Sequence, residues 1–195
     1  MQRILVATHN AGKLAEFASL LGPLGYSVIS AADLSLAEPQ ETGKTFVENA
    51  QLKARAAARA ANMPALADDS GLCVAALDGG PGIFSARYAG ADYPAAFARI
   101  IAAATAQGRF EARFICALCL AQPDGRTATY IGQADGMIAP TPSGAKGFGY
   151  DAIFLPLGYD QSYAELGGAV KDRISHRAKA FEQLAVALKA NAAPL

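Results

Sequence analysis

The sequence predicts a mixed α/β sheet flanked by helices, on three observations. Strand-like and helix-like segments alternate along the chain, with no linker or internal repeat among them. Pro123-Asp124-Gly125 forms a hairpin turn between two long segments, which makes part of the sheet antiparallel. Residues 113–121 are apolar on both faces, as expected of a strand buried in the middle of a sheet.

Taken in order, residues 3–8 read as a first strand and 13–21 as a helix ended by Gly22-Pro23. Residues 26–30 form a second short strand. A long Ala-rich helix follows, opened by Thr45-x-x-Glu48, the capping-box spacing, and stopped before Pro64. Pro64-Ala65-Leu66-Ala67 is a short buried strand, ended by a turn at Asp68-Asp69-Ser70-Gly71. Residues 93–107 form a helix with Phe97, Ile100 and Ile101 on one stripe and Gly108 after it. The hairpin strand runs over 127–138, a short strand over 153–155, and a last helix from about Ser175 carries Phe181, Leu184 and Leu188 at core spacing.

The 195 residues are enough for one domain with a substantial core. Apolar residues make up 52% but are dispersed, with no stretch near the ~20 needed to cross a bilayer. The opening Met-Gln-Arg-Ile-Leu-Val-Ala reads as a strand and not as a signal peptide. The 17 basic and 17 acidic side chains cancel, so no global field invites nucleic acid or a membrane; an anionic ligand must be held by local cations. Three cysteines, an odd count without an export signal, point to a reducing cytoplasm. Cys116 and Cys119 have C-x-x-C spacing, but three residues along a strand puts them on opposite faces, and no second Cys/His pair completes a zinc site. They read as core residues.

Four segments carry potential chemistry. Asp68-Asp69-Ser70-Gly71 offers two carboxylates. Neighbours in a strictly extended strand point to opposite faces and could not both serve one site. At a turn, one can hold a divalent cation or activate water while the other braces the backbone; solvated acids in an Asx-type turn are the alternative. Thr8-His9-Asn10-Ala11-Gly12-Lys13 leads from strand to helix, aiming free N–H groups and a lysine at an anion, without P-loop spacing; an ordinary turn fits equally. Gly147-Phe148-Gly149-Tyr150-Asp151 lets backbone and aromatic faces approach a flat ligand, with Asp151 as acceptor, or else packs its aromatics in the core. Lys171 with Ser175-His176-Arg177 puts cations near a helix start, where the dipole disfavours them unless an anion is present. Histidine as a core or surface residue and arginine in a surface ion pair are the alternatives there.

Together, six segments resemble the inosine triphosphate pyrophosphatase family, the non-canonical purine nucleoside triphosphate pyrophosphatases. They are Ala7–Lys13, Glu41-Thr42-Gly43 with Thr45–Ala50, Leu66–Leu72, Pro81–Tyr88, Gly147–Asp151 and Ser175–Arg177, in the family's order and over nearly the whole chain. The resemblance implies an elongated mixed sheet with an active-site cleft between two lobes, all within a single domain over residues 1–195. It implies hydrolysis of ITP, dITP and XTP at the α–β phosphoanhydride to monophosphate and pyrophosphate. Mg²⁺ dependence, a homodimer, and small-molecule purine nucleotides as the partners go with it. By this resemblance Asp69 is the proton acceptor and a metal ligand, and Glu41 a second metal ligand. Thr8, His9, Asn10, Ala11, Gly12 and Lys13 embrace the triphosphate, with Ser70 beside it. Phe148, Gly149, Tyr150 and Asp151 bracket the base; Lys171, His176 and Arg177 contact phosphate and base. Lys53, one turn after Asn49, is either a further cation or a solvated surface lysine.

The chemistry needs such a set. Cations and Mg²⁺ offset the triphosphate charge, and a carboxylate takes the proton of the attacking water. A donor facing O6 leaves a 6-amino purine unpaired, which separates substrates strongly. Many relatives carry Gly at the position of His9, so its turn uses ordinary dihedrals or its imidazole contacts ligand. Related septum-inhibitor-like pyrophosphatases lack the Ser-His-Arg segment in this form, and a non-catalytic nucleotide sensor would not need Glu41, Asp68 and Asp69.

Overall fold

The computed structural model describes residues 2–190. Among them, six strands form one sheet in the order β2-β1-β3-β4-β5-β6. β1 is Gln2–Val6, β2 Tyr26–Ser30, β3 Ala65–Val74, β4 Glu111–Ala121, β5 Thr127–Ile138 and β6 Phe154–Pro156. The sheet is mixed: β1 pairs parallel with β2 and β3, and β5 pairs antiparallel with β6. The helices are α1 (Ala11–Leu21), α2 (Phe46–Ala61), α3 (Ser85–Ala89), α4 (Tyr93–Gln107), α5 (Tyr163–Leu166), α6 (Gly168–Ile174) and α7 (His176–Lys189). No described helix is long and apolar enough to cross a membrane.

Local chemistry sets most boundaries. The Asn10 side chain accepts from the Lys13 N–H and starts α1, and the Thr45 hydroxyl does the same from Glu48 for α2. The Glu48 carboxylate reaches Lys44 N–H instead of the capping residue, so the box at Thr45 is half made. Asp92 caps α4, Pro94 sits in its first turn, and Gly108 closes it at φ +63°. The turn after β4 is held by Gln122 and Arg126, whose backbones bond at 2.9 Å.

The chain divides into two compact units whose boundaries fall inside β3, β4 and β5 and between His176 and Arg177. The first takes residues up to Asp69, Cys116–Gly132 and those from Arg177 onward. Its core has one layer built on Ile4, Val6, Phe17, Leu118, Phe181 and Leu184, and another of small residues from α2 and the sheet, including Ala50, Ala54 and Ala58. Alanine is what lets α2 lie close to the strands. Cys116 belongs to the first layer and Cys119 to the second, so they do lie on opposite faces, free and buried. Burial pushes the Cys116 thiol up to about 12, leaving it an unreactive core residue.

The second unit takes Ser70–Ile115 and Gln133–His176. Its core joins Leu72, Ile100, Phe114, Ile138, Phe154 and Tyr163. On the expected stripe of α4, Ile100 is fully buried, with Phe97 and Ile101 partly so.

One expectation is overturned. The chain does not turn at Asp68-Asp69-Ser70-Gly71; β3 continues through it to Val74. Gly71 is there for close approach. A Cβ at this position would run into the Gly82 carbonyl oxygen and lie 2.6 Å from the Ser85 hydroxyl, the same hydroxyl that accepts from Leu72 N–H at 2.9 Å. Gly71→Ala is therefore expected to cost about 1–3 kcal/mol through overpacking against backbone. Urea unfolding reads this directly, and a midpoint unchanged from the parent protein would refute it. Smaller differences are that β1 ends at Val6, short of Thr8, and that β6 begins one residue later than expected.

Candidate active site

Because β3 stays extended, its two acids face opposite ways and meet different partners. Asp68 Oδ2 pairs with Lys13 Nζ at 3.0 Å and with Arg177 Nη2 at 3.1 Å. Asp69 Oδ1 pairs with Lys53 Nζ at 3.3 Å, and its Oδ2 accepts from the Asn49 amide at 3.1 Å. Both carboxylates are buried.

Their electrostatics diverge accordingly. Burial is the largest influence on Asp68 and pushes it up, but the fields of Lys13, Arg177 and Lys53 override it and hold the carboxyl far below the usual carboxylate range. For Asp69 burial again raises the value; Lys53 lowers it and the Glu41 charge raises it, leaving a carboxyl above its ordinary value. Adjacent residues are thus split into a locked anion and a carboxylate with more affinity for a proton.

Lys53 is no surface lysine. It is buried, with its ammonium 2.6 Å from Glu41 Oε1. Burial lowers its proton affinity, but Asp69, Asp68 and Glu41 together raise it, so it remains a cation. Asn49, one turn earlier on α2, uses both ends of its amide: Oδ1 accepts from Gly43 N–H at 2.8 Å while Nδ2 holds Asp69. It thereby pins the segment carrying Glu41 and orients Asp69.

Glu41 and Asp69 present oxygen donors to one cation, the Lys53 ammonium. That donor set suits Mg²⁺, which keeps several waters and uses few carboxylates. The described residues contain no group of three or more His, Cys, Asp or Glu side chains placed for a metal, so any such ion would draw on these two acids, water and substrate oxygens.

The loop before α1 is held by its own side chains. Thr8 Oγ1 accepts from Asn10 N–H at 3.1 Å, and Asn10 Oδ1 accepts from Lys13 N–H at 3.0 Å, which leaves Ala11 and Gly12 in the first helical turn. His9 does not adopt a positive φ. Its Nε2 lies 3.2 Å from the Leu36 carbonyl oxygen and its Nδ1 3.9 Å from Glu38 Oε2, so the imidazole ties this loop to the segment leading to Glu41. A cavity of about 270 Å³ lies beside it, walled by Ala31, Leu36, Pro39 and Ala57.

Arg177, in the first turn of α7, answers the dipole question differently from the sequence reading. Its guanidinium pairs with Asp68 and with Glu16 of α1, so carboxylates of the protein supply the anion expected from a ligand. Burial lowers its proton affinity, but Asp68 and Glu16 outweigh that and secure the charge.

The other candidates belong to the second unit. Ser70 is half-buried on β3. Lys171, on α6, donates to Asp151 Oδ2 at 2.6 Å, and the same oxygen accepts from Phe148 N–H at 2.9 Å. The Lys171 ammonium lies 4.7 Å from the centre of the Phe148 ring. At Gly147, φ is +79° and a Cβ would collide with the Asp151 carboxylate, so glycine alone fits. Tyr150 is buried and donates to the Ser85 carbonyl at 2.7 Å, which makes it a support, while Phe148 is the half-buried aromatic of the pair. His176 stacks on Phe114.

The first unit thus gathers Thr8 to Lys13, Glu41, Asp69 and Arg177; the second gathers Ser70, Phe148 to Asp151, Lys171 and His176. Sequence reasoning missed Asn49, Glu16 and Phe114. The signals for the first two were helical spacing: Asn49 is four residues before Lys53, and Glu16 three after Lys13.

The profile of the Ham1 family matches residues 4–187. A dITP/XTP pyrophosphatase of Rhodospirillum centenum is 53% identical, over 93% of this chain and 92% of its own. One from Mesorhizobium japonicum is 46% identical, over 95% and 93%. In three dimensions, a HAM1 protein from Coxiella burnetii aligns with a TM-score of 0.87 at 40% identity, covering 97% of this chain and all of its own. The match spans both units, the locked Asp68 and the cation-paired Asp69 alike, and the chain belongs to the Ham1 family.

Proposed function

We propose that the protein is a nucleoside triphosphate pyrophosphatase that hydrolyses non-canonical purine nucleotides, with ITP, dITP and XTP as substrates. Cleavage falls at the α–β phosphoanhydride and yields monophosphate and pyrophosphate. The names of its relatives, dITP/XTP pyrophosphatases, support the substrate class. The observation that carries the mechanism is the split between Asp68 and Asp69 within a set of buried cations.

Lys13 and Lys53 supply positive charge where phosphate oxygens accumulate negative charge on the way to the transition state, while Arg177, paired with Asp68 and Glu16, holds Asp68 in place. The helix start at Asn10–Lys13 adds backbone N–H donors. Glu41 and Asp69 would hold Mg²⁺, which when bound would supply further charge neutralisation and acidify a nearby water. Asp69 takes the proton of the attacking water: its raised proton affinity suits a base, whereas Asp68 is held ionised by two cations and accepts poorly. Phe148, Asp151, Lys171 and His176 are assigned to the purine and its nearest phosphate. The reading extends to a homodimer acting in the cytoplasm to clear damaged nucleotides from the precursor pool.

Product analysis with Mg²⁺ on ITP, dITP, XTP, ATP, GTP and dUTP tests the reaction. Monophosphate and pyrophosphate from the first three, with little from the rest, is the expected result. Orthophosphate and diphosphate would mean attack at the γ-phosphate and would refute the assigned bond.

A further inference from the structure

We infer that Phe114 is a specificity-determining positioning residue, which acts by fixing the plane of the His176 imidazole. The inference rests on the reading that His176 faces the purine. Phe114 stands on β4, remote in sequence from every candidate segment, and is buried. Its ring lies parallel to the imidazole, with centroids 4.7 Å apart and planes 12° apart. His176 is 5% exposed, so the stacked pair is shielded from competing water.

The plate is itself held. Phe154 meets Phe114 edge-on, at 4.8 Å and 64°, and Tyr163 stacks on it at 6.2 Å and 28°. Phe154 and Tyr163 are fully buried and pack together at 5.1 Å. The Tyr163 ring also lies 5.7 Å from the Lys171 ammonium, so one aromatic block backs both His176 and the Lys171–Asp151 pair.

The consequence follows from imidazole geometry. Ring N–H bonds leave in the plane of the ring, so that plane decides where a hydrogen bond can point, and hydrogen bonds weaken steeply once bent. A neutral imidazole carries one donor and one acceptor nitrogen. A ring held flat against Phe114 keeps its in-plane N–H aligned with a 6-keto oxygen; a ring free to tilt bends that bond and loses the preference that it gives over a 6-amino purine, which never makes it. The plate therefore acts on discrimination more than on affinity as such.

Phe114→Leu keeps an apolar side chain, removes the flat face and leaves a small void. The kcat/KM ratio of ITP over ATP is expected to fall about tenfold, the equivalent of one hydrogen bond. The Kd ratio of AMP over IMP, measured by calorimetry without metal, should fall in parallel. Phe114→Tyr retains the face and should retain both ratios. Phe154→Leu opens a comparable void in the same aromatic block while leaving the plate, and should lower stability with both ratios unchanged. Equal losses on ITP and ATP in Phe114→Leu, or a ratio shift in Phe154→Leu matching it, would reduce Phe114 to core packing and overturn the inference. A parent enzyme that does not prefer ITP to ATP would instead overturn the functional reading on which it rests.

Discussion

Asp69→Asn is expected to lower turnover of ITP by about 10³-fold, within the range for removal of a general base, while nucleotide still binds. The substitution is nearly isosteric, and Lys53 keeps Glu41 at 2.6 Å, so the fold has no reason to change. What is lost is the proton acceptor. The choice of Asp69 over its neighbour follows from their surroundings. Asp68 has two cations within about hydrogen-bond reach, Lys13 at 3.0 Å and Arg177 at 3.1 Å, and would surrender their stabilisation on taking a proton. Asp69 has one close cation at 3.3 Å, which it shares with Glu41, and burial together with the Glu41 charge leaves its carboxyl above its ordinary value. Single-turnover hydrolysis with calorimetric binding of IMP separates chemistry from affinity. Turnover near that of the parent enzyme would remove Asp69 from the proposed role.

The same pair of acids shows where the sequence was legible and where it was not. Helix α4 and strand β5 could be bounded to the residue because their signals are local: Asp92, Pro94 and Gly108 for one, the Pro-Asp-Gly turn for the other. Asp-Asp-Ser-Gly carries equally strong local turn chemistry, and there it misled. The acids are kept within an extended strand by Lys13, Lys53 and Arg177, up to 109 residues away, and Gly71 serves a close approach to Gly82 and Ser85. The burial of Lys53 was illegible for the same reason, since its partners Glu41 and Asp69 come together only in the fold. Helices α3, α5 and α6, of four to seven residues, are too short to show a period. Phe114 sits among ordinary strand residues, and only the fold brings it against His176.

Arg177→Met tests the locked acid. Arg177 and Asp68 are each 2% exposed, and methionine fills most of the space without supplying charge. Asp68 is left ionised in the core with Lys13 as its remaining close cation, a change expected to cost about 3–5 kcal/mol, a large part of the roughly 5–15 kcal/mol that holds a typical domain. The pH dependence has a definite sign. The folded-state pKa of Asp68 lies below its value in the unfolded chain, about 3.9, so its contribution is complete above that value and is lost as pH falls below it toward the folded pKa. The stability gap between parent and Arg177→Met should therefore be widest at neutral pH and shrink under acid, as Asp68 in the folded variant, no longer held by Arg177, takes up a proton that the folded parent does not. Adding Asp68→Asn to the variant removes the stranded charge and should recover much of the loss at pH 7, whereas two independent defects would add. Urea midpoints for the parent, Arg177→Met, Asp68→Asn and the double variant at pH 7 and pH 4 decide between these. A neutral-pH cost under about 1 kcal/mol, in the range of an exposed pair, would mean that the Arg177–Asp68 contact is not the buried lock described here.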